Sequence, residues 1–203
     1  MEMRIILASG SPRRKEILSS IVNAFEIITS DTDESYEKQA PEQVVEELSR
    51  RKADAVLLQL DSPDAVIIGA DTVVANEGRI LGKPQNREDA VMMLKGLQGK
   101  KHQVYTGVTL IEKHGSRVIR TTFHECTNVS VLPMTEQAIR EYVASGECDD
   151  KAGSYAIQGI FSKYIEGYEG DYYNVVGLPK EPLRKKLKEM ITKGCNIKMC
   201  EEA

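Results

Sequence analysis

Apolar positions recur along this chain at two spacings, and the spacing changes several times between the two ends. Arg4–Ala8 contains Ile5-Ile6-Leu7 and predicts a short strand. Ser11-Pro12 then has the form of a helix start, Ser as N-cap and Pro at the first helical position. Ile17, Leu18 and Ile21 supply the apolar face of that helix. Phe25–Thr29 reads as another strand and Ser30–Ala40 as a polar loop. Pro41 opens a long helix to about Leu58, with a stripe of Val45, Leu48, Lys52, Ala55 and Val56. One member of that stripe is charged.

Ala65–Gly69 predicts a buried strand, followed by Val73–Ala75 and Arg79–Leu81 around the hairpin signal Asn76-Glu77-Gly78. Asn86 caps a helix with Ala90, Met93, Leu94 and Leu97 on one face, ending near Gly99. Val104–Ile111 and Arg117–Leu132 are rich in Val, Ile and Thr and predict long strands. Thr135–Ser145 is a helix stopped by Gly146. Pro182–Lys193 is the last helix, with Leu183, Leu187, Met190 and Ile191 facing inward. Strands and helices alternate early while hairpins fill the middle. That order predicts an α/β fold with a mixed sheet flanked by helices, rather than a purely parallel sheet. No linker rich in Gly, Ser or Pro separates two independent domains. Residues 1–193 therefore read as one domain and 194–203 as a tail.

The length, 203 residues, allows a sizeable core without disulfides or a structural metal. A net charge of −4 argues against sequence-independent nucleic-acid binding, so an anionic ligand must be held by locally placed cations. The apolar stretch near the N-terminus is too short for a signal peptide, and no run approaches the roughly 18 apolar residues that span a bilayer. The expectation is a cytoplasmic protein without membrane attachment. Cys126, Cys148, Cys195 and Cys200 are scattered, which reads as free thiols in a reducing compartment. A zinc site is the sharper reading of the last pair. Spacing argues against it, because no Cys-x-x-Cys exists and the three histidines lie far from the tail along the chain.

The loop Ser9-Gly10-Ser11-Pro12-Arg13-Arg14 joins the end of a strand to a helix N-terminus, where free N–H groups and the helix dipole favour an anion. A plain cap explains Ser and Pro as well as an anion site does. It explains Arg13 and Arg14 less well, since cations there oppose the dipole. Asp71 follows Val66-Ile67-Ile68 closely, at the expected carboxyl end of a buried strand, where ligands bind in α/β folds. It reads as a metal ligand or general base, or as a turn residue. Lys52 either snorkels to water or turns into a site. Lys83 is a solvated edge lysine or a second site cation. Glu34 belongs to a solvated acidic loop or joins Asp71 around a hard cation. Gln158, in Lys151–Gly159, offers a donor and an acceptor to a base edge, or simply sits in a turn.

Taken in order, these segments resemble the Maf family of nucleotide pyrophosphatases. The resemblance is carried by Leu7–Arg14, Asp33-Glu34, Lys52-Ala53, Gly69–Val74, Gly82-Lys83-Pro84, Val104–Val108, Lys151–Gly159 and Asn174–Pro179, and runs from about Arg4 to Leu187. It implies a curved mixed sheet with helices on both sides, forming two lobes around a deep cleft. It implies cleavage of a nucleoside triphosphate between the α and β phosphates, with Mg²⁺ or Mn²⁺ required. Arg13, Thr72 and Gln158 resemble the branch that accepts dTTP and UTP, and the branch acting on 7-methyl-GTP differs at these positions. The family is also associated with arrest of cell division and with removal of modified nucleotides. A homodimer is suggested by analogy alone.

These readings combine into one expected mechanism. Ser9, Arg13 and Arg14 hold phosphate oxygens, and Lys52 and Lys83 neutralise charge in phosphoryl transfer. Asp71 activates water or binds the metal, with Glu34 assisting, while Thr72 and Gln158 meet the substrate. The alternative is a nucleotide-binding regulator of division whose hydrolysis is incidental. It would need the arginine loop and Gln158, but no acidic pair beside the lysines.

Overall fold

The computed structural model describes residues 3–29, 31–37 and 40–201. Ser30, Lys38 and Gln39 of the expected loop lie outside these. Seven strands form one mixed sheet in the order β2-β1-β3-β5-β6-β7, with β4 paired to β3. The strands are β1 (Arg4–Leu7), β2 (Glu26–Ile27), β3 (Asp64–Asn76), β4 (Arg79–Leu81), β5 (Lys101–His114), β6 (Arg117–Val131) and β7 (Ile165–Glu169). The helices are α1 (Pro12–Ser19), α2 (Pro41–Leu58), α3 (Arg87–Leu97), α4 (Glu136–Ala144), α5 (Tyr172–Val176) and α6 (Lys180–Thr192). β1 pairs in parallel with β2 and β3, while the β3–β4 and β6–β7 pairs are antiparallel. This is the mixed α/β sheet that the element order predicts. None of the helices among the described residues is long and apolar enough to cross a membrane.

The chain divides into two compact units. The first comprises Met1–Asp71, Thr106–His124 and Gly177–Ala203; the second comprises Thr72–Tyr105 and Glu125–Val176. β3, β5 and β6 each contribute residues to both units.

In the first unit, α2 is seated by two glycines. A Cβ on Gly69 of β3 would lie 2.4 Å from the Ser49 carbonyl oxygen, and one on Gly107 of β5 would lie 2.3 Å from that of Val45. Only hydrogen at these positions lets the helix backbone come so close to the strands. Ala53 and Val56 of α2 then pack with Ile6, Ile67 and Ile111. Two details of the expected stripe change. Ala53 is the buried alanine and Ala55 is only half-buried, because Ala53 is the residue that meets β3 where Gly69 admits the helix. Ser49, skipped by an apolar pattern, is also buried and hydrogen-bonds the Thr109 hydroxyl at 2.9 Å.

The expected break between Ala65–Gly69 and Val73–Ala75 is absent. β3 runs through Gly69-Ala70-Asp71-Thr72 without interruption, and Asp71 lies inside the strand. Gly and Asp weaken the local preference for a strand, yet flanking partners and α2 hold the backbone extended. The parallel pairing with β1 does stop just before it, at Leu7 opposite Ile68. Asp71 therefore stands beyond the carboxyl end of β1, although not at the end of its own strand.

At the other end of the chain, Leu183, Leu187 and Met190 of α6 are buried as expected, but Ile191 is 36% exposed. One residue is a rotation of about 100° on a helix, which takes Ile191 off the inner face. Arg184 is buried instead and donates through Nη2 to the Ser20 carbonyl at 3.2 Å, at the C-terminal end of α1.

In the second unit, α3 and α4 bury Leu94, Leu97, Ile139 and Tyr142 with Val129 of β6 and Phe161. Within this core His102 Nε2 lies 2.7 Å from the Tyr155 hydroxyl. Burial pulls His102 down to about 4. Between that value and the ordinary 6.5 the unfolded chain binds a proton that the folded chain refuses, so stability falls as pH falls. Unfolding free energies from urea titrations at about pH 7 and about pH 4.5 should differ by roughly 2–3 kcal/mol, and His102→Gln should remove most of that difference. An unchanged slope in the variant would place the acid sensitivity elsewhere.

Candidate active site

The Lys52 side chain leaves the buried side of α2 one residue before Ala53 and does not reach out to water. Its ammonium donates to Asp71 Oδ1 at 2.5 Å and to Glu34 Oε1 at 2.8 Å. The lysine side chain is 15% exposed and that of Asp71 11%, whereas Glu34 is open to solvent at 52%. Two carboxylates from distant parts of the chain thus share one cation. Strand geometry explains the meeting: Gly69 and Asp71 are two residues apart, so both face α2. Gly69 admits the helix, and Asp71 meets the lysine that the helix carries.

Glu34 is placed by a contact that the sequence did not single out. Arg51 donates through Nη1 to the carbonyl oxygens of Ser35 at 2.6 Å and Asp33 at 3.3 Å, and its other arm pairs with Glu47. The Asp33 carboxylate in turn accepts from the Ser35 N–H at 2.8 Å and its hydroxyl at 2.5 Å. Those bonds hold the Asp33 carboxyl below its ordinary value. The loop carrying Glu34 is therefore strapped to α2 one residue before Lys52. An Arg followed by Lys on a helix reads as a solvated pair, and no local pattern distinguishes Arg51 from one.

The loop Ser9–Arg14 is built as the N-cap pattern predicts. Ser11 caps α1, its hydroxyl accepting from the Arg14 N–H at 3.4 Å. Ser9 is buried, and its hydroxyl oxygen accepts from the Ser11 N–H at 3.3 Å and from Arg14 Nη1 at 3.2 Å. Arg14 Nε donates to the Gly177 carbonyl at 2.8 Å. Burial pulls the Arg14 guanidinium below its ordinary value; Asp71 and Glu34 oppose the shift and Arg13 adds to it. The arginine loop and the acidic pair therefore feel one another. The conflict between two arginines and the positive end of α1 is partly relieved by the Asp71 charge.

Ser9, Arg13, Arg14, Glu34, Lys52 and Asp71 all belong to the first unit, and Thr72, Lys83 and Gln158 to the second. Asp71 and Thr72 are joined by a peptide bond and leave opposite faces of β3. Lys83 and Gln158 are exposed. Their loops are tied together within the second unit, where the Gly153 N–H donates to the Gly82 carbonyl at 2.9 Å. Asn174 anchors the next segment, donating through Nδ2 to the Val104 carbonyl and the Thr127 hydroxyl, both at 2.9 Å.

With this geometry in place, comparison with known proteins is informative. The profile of the family described as Maf-like protein matches residues 4–190. The chain belongs to the Maf family. Among its relatives, a protein of Lachnoclostridium phytofermentans named dTTP/UTP pyrophosphatase is 46% identical over 187 residues, covering 92% of this chain and 94% of that one. Proteins of the same name from Agathobacter rectalis and Bacillus cereus are 48% and 47% identical, each covering 92% of this chain and 97% and 95% of their own. A solved structure of a nucleoside-triphosphatase / dITP/XTP pyrophosphatase from Mycobacterium abscessus aligns over 94% of this chain at a TM-score of 0.42 and 12% identity, too distant to bear on chemistry. In this Maf chain the Lys52 ammonium joins Glu34 and Asp71 at one point.

Proposed function

We propose that this Maf chain hydrolyses dTTP and UTP, and modified pyrimidine nucleotides of the same shape, between the α and β phosphates. The products are the nucleoside monophosphate and pyrophosphate. The observation that carries the reading is the Lys52 ammonium shared by Asp71 and Glu34, set within the field of Arg14. A regulator that only bound a nucleotide would not need Asp71 and Glu34 as an acidic pair beside the lysine.

Arg13 and Arg14 hold phosphate oxygens by charge-assisted hydrogen bonds. The Ser9 oxygen already accepts twice within the loop, so its O–H is what it offers a phosphate. Asp71 takes the proton of the attacking water as the bridging P–O bond breaks and pyrophosphate leaves. Lys52 and Lys83 offset the charge that builds on the transferring oxygens. Thr72 and Gln158 contact the pyrimidine base and sugar, which is how the dTTP/UTP preference would arise.

The donor set also fits a hard divalent cation. Asp71 and Glu34 reach one ammonium with one oxygen each, and such clustered carboxylate oxygens are what Mg²⁺ and Mn²⁺ select. Bound there by Asp71 and Glu34, the cation would supply charge neutralisation for the triphosphate. The deciding assay is incubation of the full chain with Mg²⁺ and a panel of dTTP, UTP, CTP, dATP and GTP. Monophosphate and pyrophosphate are expected, fastest from dTTP and UTP. Release of orthophosphate would mean cleavage at another bond. No turnover of any member would overturn the enzyme reading in favour of the regulator.

A further inference from the structure

The tail beyond α6 packs on the first unit. Met3 N–H donates to the Asn196 carbonyl at 3.1 Å, Asn23 N–H to Lys198 at 3.1 Å, and Cys200 N–H to Ile21 at 2.9 Å. Cys195 and Ile197 are buried by this packing. The packing brings Cys195 to β5, where Glu112 and His114 stand two residues apart on one face of the strand. Cys195 Sγ lies 3.5 Å from Glu112 Oε2 and 3.7 Å from His114 Nε2. All three potential ligand atoms lie within 4.8 Å of one another.

We infer that Glu112, His114 and Cys195 form a second divalent-cation site, selective for zinc and separate from the Asp71–Glu34 pair. Zinc bonds of about 2.0 Å to nitrogen or oxygen and about 2.3 Å to sulfur, at tetrahedral angles, set ligand atoms about 3.5 Å apart. The two sulfur distances match those edges. The chemistry matches as well: one thiolate, one neutral imidazole and one carboxylate carry two negative charges and form a borderline set that suits zinc. Mg²⁺ and Mn²⁺ prefer oxygen alone.

Burial supplies the reason for a cation. Glu112 is 7% and Cys195 4% exposed, so a carboxylate is held away from water. From Cys195 it receives a thiol hydrogen bond, a weak one. On binding, the S–H proton passes to solvent, a sulfur–metal bond forms, and the carboxylate gains a full counter-charge. His114 is exposed, so the cluster is open to solvent on that side, and a water would complete a four-coordinate zinc. Cys195 lies beyond the residues 4–190 that the Maf profile matches, so the site joins this chain's own tail to a strand of the family fold. Its effect is to pin the tail to β5.

The test is titration of the metal-free full chain with Zn²⁺ against a chromophoric chelator, with Co²⁺ as a spectroscopic stand-in. One tight zinc equivalent is expected, together with a sulfur-to-cobalt charge-transfer band and a melting temperature raised by zinc. His114→Ala, at an exposed position, should keep the fold and weaken zinc binding at least about tenfold. Cys195→Ser should abolish the cobalt band, and Cys200→Ser should change nothing. If Cys195→Ser does not fold, His114→Ala decides alone. The proposal is overturned if zinc binds His114→Ala as tightly as the parent chain, if cobalt shows no sulfur band, or if binding disappears with Glu34→Gln instead.

Discussion

Asp71→Asn is expected to lower turnover of the preferred triphosphate roughly a hundredfold or more, measured well below a melting temperature that the lost ion pair to Lys52 also lowers. The substitution keeps the shape of the side chain and leaves an oxygen to accept from Lys52. It removes the charge that would take a proton from water or bind the cation. Asp71 lies inside β3 and is 8% exposed, so its carboxylate is held in place by the strand. Glu34 is the nearest alternative, and it reaches Lys52 from an exposed loop. The measurement is kcat at saturating Mg²⁺ and dTTP, with circular dichroism to confirm the fold. Full activity in a folded, metal-loaded Asp71→Asn would remove Asp71 from the chemistry.

Gly69→Ala should destabilise the protein by about 3 kcal/mol, or roughly 6–12 °C in melting temperature for a chain of this size. The added methyl would sit 2.4 Å from the Ser49 carbonyl and 2.9 Å from Ala53, so it meets backbone and not a yielding side chain. Relief requires α2 to lift from β3. That same movement would draw Lys52 away from Asp71, so turnover should fall even well below the melting transition. Gly82→Ala is the stability control, since a Cβ there meets nothing within 4 Å. It should shift stability by less than about 0.5 kcal/mol. Equal melting of Gly69→Ala and the parent chain would refute the close packing of α2.

Both predictions rest on features with different degrees of visibility in the sequence. The span of α2 was legible to the residue, because Pro41 marks its first turn and the 3.6-residue period runs to Leu58. The charged member of its stripe, Lys52, was visible as an anomaly. Glu34 and Asp71 stand in the sequence as candidates for the same site, but their direct pairing with Lys52, across 18 and 19 residues of chain, is set only by folding. The choice of Ala53 over Ala55 depended on Gly69, which no helical period records. β3 was read as broken at Gly69–Asp71, since local preference there opposes a strand and only pairing and α2 restore it. β7 and α5 escaped notice because they are five residues each and carry no clear period. Arg51 looked like any surface arginine until its loop contacts were seen. Spacing argues against zinc because the histidines and the tail cysteine are far apart in sequence, and folding brings His114 beside Cys195.

What the sequence determined by itself was local: the cap at Ser11, the helix spans, the β-rich middle, and the set of motifs that resemble the Maf family. Each of these depends on interactions within a few residues, or on residue identity in order. Tertiary structure decided which of those residues share a charge. Lys52 became a bridge between carboxylates, Arg14 was drawn to Ser9 and Gly177, and the tail cysteine met a histidine and a glutamate on β5. Such pairings are set by close approach of backbones, at Gly69 and Gly107 above all. The energy of a close approach depends on what lies opposite, which no local pattern contains.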